Sequence, residues 1–451
     1  SAFSVLIGVD FFAAAETTPS NAEIWNGYDS SKVAVPFSGG DGSAADPYII
    51  TTADQLFRMV YDFGKSANNQ ATYYKLANDI YLNDITDYDK WGSKDFDMSS
   101  LNNWYENEAH FEYPAQFLGS FDGDGHFIYG LYACGYRFAA FLPESGKDSV
   151  VKNVHFRNSY TVNTAKIDPK DQEGDDGGNG VYSGNRTWYD SRYGSASVIV
   201  GCCENAISIS NCSVKTAYVE ASYFTSAIIA VANSCYPTVK NCLVADVTLN
   251  ATSKEKGACG IAGGVINLPY GSKDAAQIDS VIVADLQVYG ASDRDALWNG
   301  LKVPTAAYAY KFNSVYSNVK HTYSVDHYQH GKLNYEDDEV IVVKSGYLKG
   351  TKAKQELDLD WEHNWKVVEN DYPIPQNEYI APTGEEYYKN GGPASSENVW
   401  DGTTAKNFAA GTGTAEDPYL IDSCAQFYKM VSTLNADKFY KIADGVTALY
   451  F

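Results

Sequence analysis

The chain has 451 residues, with 57 acidic against 34 basic side chains and a formal charge of −23. That balance argues against nucleic acid and anionic membranes as partners, because both require a basic footprint. Thirty-six tyrosines, 37 glycines and only three methionines among many short apolar runs point to an all-β protein, and eight cysteines without a CxxC pair make neither a disulfide scaffold nor a zinc site.

Residues 1–15, SAFSVLIGVDFFAAA, run apolar and end in small side chains. They read as the remnant of a secretory signal peptide, with an ordinary N-terminal strand as the competing reading. No other run approaches the roughly 18 apolar residues a membrane span requires, so no span is expected in the visible chain. Next comes FSGGDGSAADPYIITTADQLFRMV (37–60), and nearly the same text returns as FAAGTGTAEDPYLIDSCAQFYKMV (408–431). Its glycines make a turn, and Asp-Pro sets the chain into an extended stretch. Leu56, Met59 and Val60 then share one face of a short helix capped by Thr or Asp. YYKLANDIYL alternates as a strand. A module of this kind opens a domain, so its second copy opens another. The expected division is a signal remnant over 1–15, one domain over 16–381, a linker over 382–398 and the start of a second, truncated domain over 399–451.

FDGDGHF (121–127) brings Asp122, Asp124 and His126 together, but two Asp-Gly pairs between apolar residues read as a tight turn rather than an acid–base cluster. Beyond it, VVKNVHFRN (150–158), SISNCSVKT (208–216), TVKNCLVAD (238–246) and QIDSVIVAD (277–285) fall in register, with KFNSVYSNV (311–319) a weaker fifth. A small-residue apolar stretch precedes most of them. The Asn or Ser positions lie 30 to 58 residues apart. A constant core at irregular spacing means stacked turns of one cross-section with loops of varied length. The expected fold is therefore all-β: a right-handed parallel β-helix with a short N-terminal capping helix and long loop excursions. A propeller would space its strands evenly. Asn153, Asn211 and Asn241 suit a corner where each amide bonds its equivalent one turn away. Most cysteines, such as Cys212 and Cys242, read as buried, reduced packing residues. LDLDWEHNWKVVENDYPIP (357–375), with Trp361, Trp365 and Tyr372, reads as a bulky plug closing the far end.

FLGSFDGDGHFIYGL (117–131) resembles the G-x-F-D-G-x-G-H-x-I-x-G-L stretch of secreted and surface bacterial proteins with right-handed parallel β-helix domains of the GLUG-repeat type. The order of motifs matches as well: the Gly-rich turn and helix, KLANDI, FDGDGH, then an apolar patch before VKNVHF. The resemblance covers most of residues 24–375. It implies a secreted or cell-surface location and a role in adhesion or in multidomain carbohydrate-associated proteins, some of which carry a protease or glycosidase elsewhere. The loops here, 163–195 above all, are longer than simple repeats of this type need.

Those loops hold the candidate site residues. KIDPKDQEGDDGGNG (166–180) sets Asp168, Asp171, Asp175 and Asp176 among glycines, a candidate calcium loop. A solvated acidic excursion is the competing reading. GNRTWYDSRYG (184–194) adds Arg186, Trp188, Tyr189, Arg192 and Tyr193, a set that can grip a sugar by stacking and bidentate bonds or pin the loop to the wall. His327 and His330 beside Asp326 are a weak metal signal. No catalytic residue is assigned, since no Asp, Lys and Arg set recurs at one strand position as a polysaccharide lyase would need. The function expected is a non-enzymatic extracellular module that binds polysaccharide or host glycan, a monomeric unit in a longer chain, with calcium its one candidate cofactor. A β-helix polysaccharide lyase or glycoside hydrolase and a passive surface spacer are the alternatives.

Overall fold

The computed structural model describes residues 17–29, 31–65, 71–105, 116–135, 138–164, 194–222, 224–252, 257–266, 277–289, 293–295, 311–313, 315–317, 340–342, 348–357, 359–368 and 371–378, and in the C-terminal region 405–415, 417–421, 426, 429–430 and 440–442. The chain divides into two compact units, Ser1–Asn377 and Glu378–Phe451.

The first unit is all-β apart from short helices, and its large sheet is parallel throughout. From residue 138 onward the chain visits three sheets in a fixed rotation. Phe138–Ala139, Leu142–Ser145 and the pair Ser149–Lys152 and His155–Asn163 form one circuit. Ser195–Ala196, Val200–Asn205, Ile207–Ser210 and Ser213–Ala221 form the next. Thr225–Ser226, Ile229–Cys235 and Thr238–Ala251 follow, then Gly257–Cys259, Ala262–Ile266 and Gln277–Tyr289. Strands pair with their counterparts in the circuits before and after, in register apart from one shift at Glu204/Asn205: Val151, Ile209, Val239 and Ile278 line up, as do Phe156, Val214, Val244 and Val283. These columns are buried and fill the interior. The weak fifth segment joins the same ladder, Lys311–Asn313 and Val315–Ser317 pairing with Gln277–Tyr289.

Two corners recur in each long strand. Asn153, Asn211, Asn241 and Ser280 occupy the left-handed region with φ of 52–54°, and five residues on so do Asn158, Thr216, Asp246 and Asp285. Asn and Asp tolerate that region because their short polar side chains bond locally. The first corner carries part of the expected ladder: Asn211 Nδ2 donates to Asn153 Oδ1 at 3.1 Å, and Asn153 Nδ2 to Asp122 Oδ1 at 2.8 Å, but Asn241 does not extend it, since Asn211 Oδ1 has no hydrogen-bond partner among the described residues. Thr216 is the odd member, a β-branched residue at φ 57° held by a 3.2 Å bond from its hydroxyl to Asp246 Oδ2. Thr216→Asn should therefore stabilise the unit by about 0.5–1 kcal/mol, read as a higher denaturant midpoint at unchanged slope.

At the N-terminal side, the helix Ala53–Lys65 buries Leu56, Phe57, Met59 and Val60 in the core. Thr52 caps it through a long bond to the Gln55 amide. The Gln55 side chain accepts from the Thr51 N–H at 2.7 Å and donates to the Pro36 carbonyl at 2.8 Å, clamping the preceding turn to the helix. A Cβ on Gly40 (φ 78°) would lie 1.9 Å from the Pro47 oxygen, and one on Gly411 (φ 88°) 2.0 Å from the Pro418 oxygen. Within the second unit the same local geometry recurs. Phe408 stacks on Tyr419 at 4.5 Å as Phe37 stacks on Tyr48, and Tyr419–Ile421 pairs in parallel with Tyr440–Ile442 as Tyr48–Ile50 does with Thr72–Leu76.

The segment 348–377 differs from expectation. Leu348, Ala353, Leu357, Leu359, Trp365 and Tyr372 pack on Leu243, Ala245, Ile282 and Ala284, on the outer face of the large sheet. Lys215 pairs with Asp371 at 3.0 Å, and Asn377 donates to the Asp124 carbonyl. The segment covers the flank of several circuits, because these residues supply an outward apolar stripe that alternation alone would make polar.

Candidate functional site

The two corners divide the outer face of the large sheet into three panels. The first is charged: Lys152 pairs with Asp122 at 3.1 Å, and Lys240 with Asp279 at 3.2 Å. The second, running from His155 and Arg157 to Ile282 and Ala284, lies under the segment 348–377. The third is open to solvent to varying degrees. Register places Tyr132, Tyr160, Tyr218, Thr248 and Gln287 in one column and Cys134, Val162, Glu220, Asn250 and Tyr289 in the next.

The tyrosines stand one circuit apart, Tyr160 stacked on Tyr218 and tilted towards Tyr132. Tyr160 lies 4.7 Å from Tyr218 at 20°, and 6.3 Å from Tyr132 at 54°. Trp91 closes the near end edge-on to Tyr160, and Tyr88 anchors that loop by donating to the Ser159 carbonyl at 2.7 Å. At the far end the Tyr218 hydroxyl donates to Glu220 Oε2, and Asn250 Nδ2 donates to the same carboxylate oxygen at 2.8 Å. Tyr289 stands 53% exposed beyond them. Burial, reinforced by the Glu220 carboxylate, pushes the Tyr218 hydroxyl well above its ordinary range, and burial does the same for Tyr132 and Tyr160. All three phenols are therefore protonated donors at neutral pH. Half-buried rings that show an edge and a hydroxyl, flanked by a carboxylate and an amide, can bond the hydroxyls of a sugar while the ring edges border it with apolar surface.

A second polar group lies on a neighbouring sheet. Gln116 Nε2 donates to Glu144 Oε1 and to Glu204 Oε2, each at 2.8 Å. One amide thus draws two carboxylates together. Among the described residues there is no group of three or more His, Cys, Asp or Glu side chains placed to hold a metal ion. No described helix is long and apolar enough to cross a membrane.

Asp168, Asp171, Asp175, Asp176, Arg186, Trp188, Tyr189, Arg192 and Tyr193 lie outside the described residues, as do Asp326, His327, His330 and the signal segment 1–15. Asp122, Asp124 and His126 form the turn and its ties: Asp122 accepts from the Asp124 N–H, and His126 Nδ1 lies 2.9 Å from Asp79 Oδ1. The tyrosine column was missed by sequence reasoning, although a signal existed. Tyr160, Tyr218, Thr248 and Gln287 each stand seven residues after the corner residue of their segment.

No family model matches the sequence, and no curated protein does. Among solved structures, the chain is similar to the crystal structure of a protein named "putative immunoglobulin A1 protease" from Bacteroides ovatus, at 18% identity and a TM-score of 0.40. The match covers 76% of this chain and 96% of that one. Likeness at that level carries no argument about activity.

Proposed function

We propose that the first unit is a right-handed parallel β-helix of the GLUG-repeat type, a secreted or cell-surface module of a multidomain bacterial protein, which binds a glycan without transforming it. The observation that carries this reading is the solvent-facing column of Tyr132, Tyr160 and Tyr218 with the Glu220–Asn250 pair at its end. A row of ring edges and hydroxyls at circuit spacing offers successive sugars the same hydrogen-bonding partners. The acidic neighbours Glu220 and Asp246, and the net charge of −23, favour neutral over acidic sugars. Calcium at Asp168, Asp171, Asp175 and Asp176 belongs to the same proposal on the strength of sequence pattern alone.

The test is binding of the first unit to immobilised neutral and acidic polysaccharides, with release of new chain ends followed in the same wells. Tyr218→Ala should weaken binding about tenfold to a hundredfold, with a folded protein by circular dichroism. Equal binding by the variant would remove the column from the site, and no binding across the panel would leave a spacer. A second reading has one specific support. Glu144 and Glu204 each place a carboxylate oxygen 2.8 Å from the Gln116 amide nitrogen, a pair of neighbouring carboxylates of the kind glycosidases use. New chain ends abolished by Glu144→Gln would establish it.

A further inference from the structure

The described cysteines are free thiols, and six of the seven are buried. Two pairs of these buried thiols belong to neighbouring circuits, and they differ in what their sulfurs meet. Cys212 Sγ donates to the Ser210 carbonyl at 3.2 Å, and Cys242 Sγ to the Lys240 carbonyl at 3.2 Å. Cys212 and Cys242 also meet each other, but each thiol has a main-chain acceptor. Cys203 Sγ instead lies 2.6 Å from Cys235 Sγ. That approach is nearer to the ~2.05 Å of a covalent S–S bond than to the about 3.5–4.0 Å at which non-bonded carbon atoms rest.

The backbone explains the meeting. Cys203 pairs with Ala232 across the strands Val200–Asn205 and Ile229–Cys235, so regular pairing would leave Cys235 well down the strand. The register shifts between Glu204 and Asn205, placing Asn205 opposite Cys235 and taking up one extra residue on the second strand. A bulge of this kind bends the strand and re-aims a side chain. Both sulfurs end inside the core, with Cys203 0% and Cys235 1% exposed.

We propose that Cys203 and Cys235 are a thiol-oxidation site, forming a disulfide that staples one circuit to the next. The reaction is two successive exchanges with a small disulfide such as oxidised glutathione. One thiolate attacks it, forming a mixed disulfide and releasing one glutathione thiolate. The second cysteine then displaces the second glutathione, closing the Cys203–Cys235 bond. The two cysteines are oxidised and the small disulfide is reduced to two thiols, which take up the protons. In the closed fold the pair is sealed from solvent and the Cys203 thiol is held protonated by burial. The bond therefore forms while the circuits are assembling, which suits a chain that folds in an oxidising compartment.

The experiment refolds the full chain from the reduced, denatured state in a glutathione redox buffer, confirms folding by circular dichroism, then denatures and alkylates it for intact mass and peptide mapping. Six of the eight cysteines should label, with one linked peptide pair joining Cys203 to Cys235. The Cys212→Ser, Cys242→Ser double variant should still hide two thiols, and the Cys203→Ser, Cys235→Ser double variant should hide none. Eight labelled cysteines in the folded parent, or a linkage through any other pair, would overturn the proposal.

Discussion

Phe141→Ala is expected to cost the first unit about 3–5 kcal/mol, the range for emptying a fully buried aromatic position. Phe141 is 0% exposed and sits at the junction between the N-terminal cap and the stacked circuits. Its ring lies 5.4 Å from Phe121, 5.3 Å from Phe156 and 5.8 Å from Trp104. Trp104 in turn meets Trp25 at 5.5 Å and Phe57, on the capping helix, at 5.6 Å. Trp104 also donates its indole N–H to the Phe141 carbonyl at 3.0 Å, so the ring that would have to move into the vacated space is tethered. A tethered neighbour collapses poorly, which places the loss towards the upper end of the range. The measurement is the denaturant midpoint of the first unit at constant slope. A loss below about 1.5 kcal/mol would mean that the aromatic junction relaxes around the cavity as a volume-conserving swap does.

The same junction shows what the sequence made legible. Leu56, Met59 and Val60 announce the capping helix by spacing, and the corner residues Asn153, Asn211 and Asn241 announce the parallel ladder by recurrence. Both signals are local and periodic, and the geometry follows from them. Trp25, Trp104 and Phe141 are far apart in the chain and have no common spacing, so their meeting is a tertiary fact. The register of the circuits is readable, but the aligned segments end at Asn158 and Thr216, the second corner itself, and so just short of the tyrosines two residues beyond it. The segment 357–375 was read as a bulky closing element. Its resting place on the flank depends on an outward apolar stripe at Leu243, Ala245, Ile282 and Ala284, which looks in sequence like part of a strand buried on both faces. The contact of Cys203 with Cys235 depends on a bulge, which no pattern of side chains reveals.

That flank segment buries a titratable group, and the consequence is a pH dependence. His155 is 2% exposed, with Trp365 edge-on at 5.8 Å, Phe127 at 5.2 Å and Nδ1 3.0 Å from Ser213 Oγ. Arg157 is also buried and donates to the same Ser213 hydroxyl at 2.8 Å. Desolvation first, then the positive charge of Arg157 and of His126 when protonated, hold the His155 imidazole well below its ordinary range. The folded chain thus keeps His155 neutral where the unfolded chain begins to protonate it, near pH 6.5. The unfolded state binds the extra proton, so stability falls as pH drops from about 6.5 towards the folded value, at up to about 1.4 kcal/mol per pH unit. The loss from this one group accumulates as pH falls below about 6.5 and ends at the folded value. His155→Gln retains a hydrogen-bonding side chain that does not titrate, and should flatten the profile over that interval while leaving the fall at lower pH, where carboxylates protonate. Denaturant melts of parent and variant at pH 7, 6 and 5 read the difference directly. Parallel profiles would mean that a charge facing His155 from the covering segment, or water admitted beneath Trp365, lets the imidazole take its proton in the folded state.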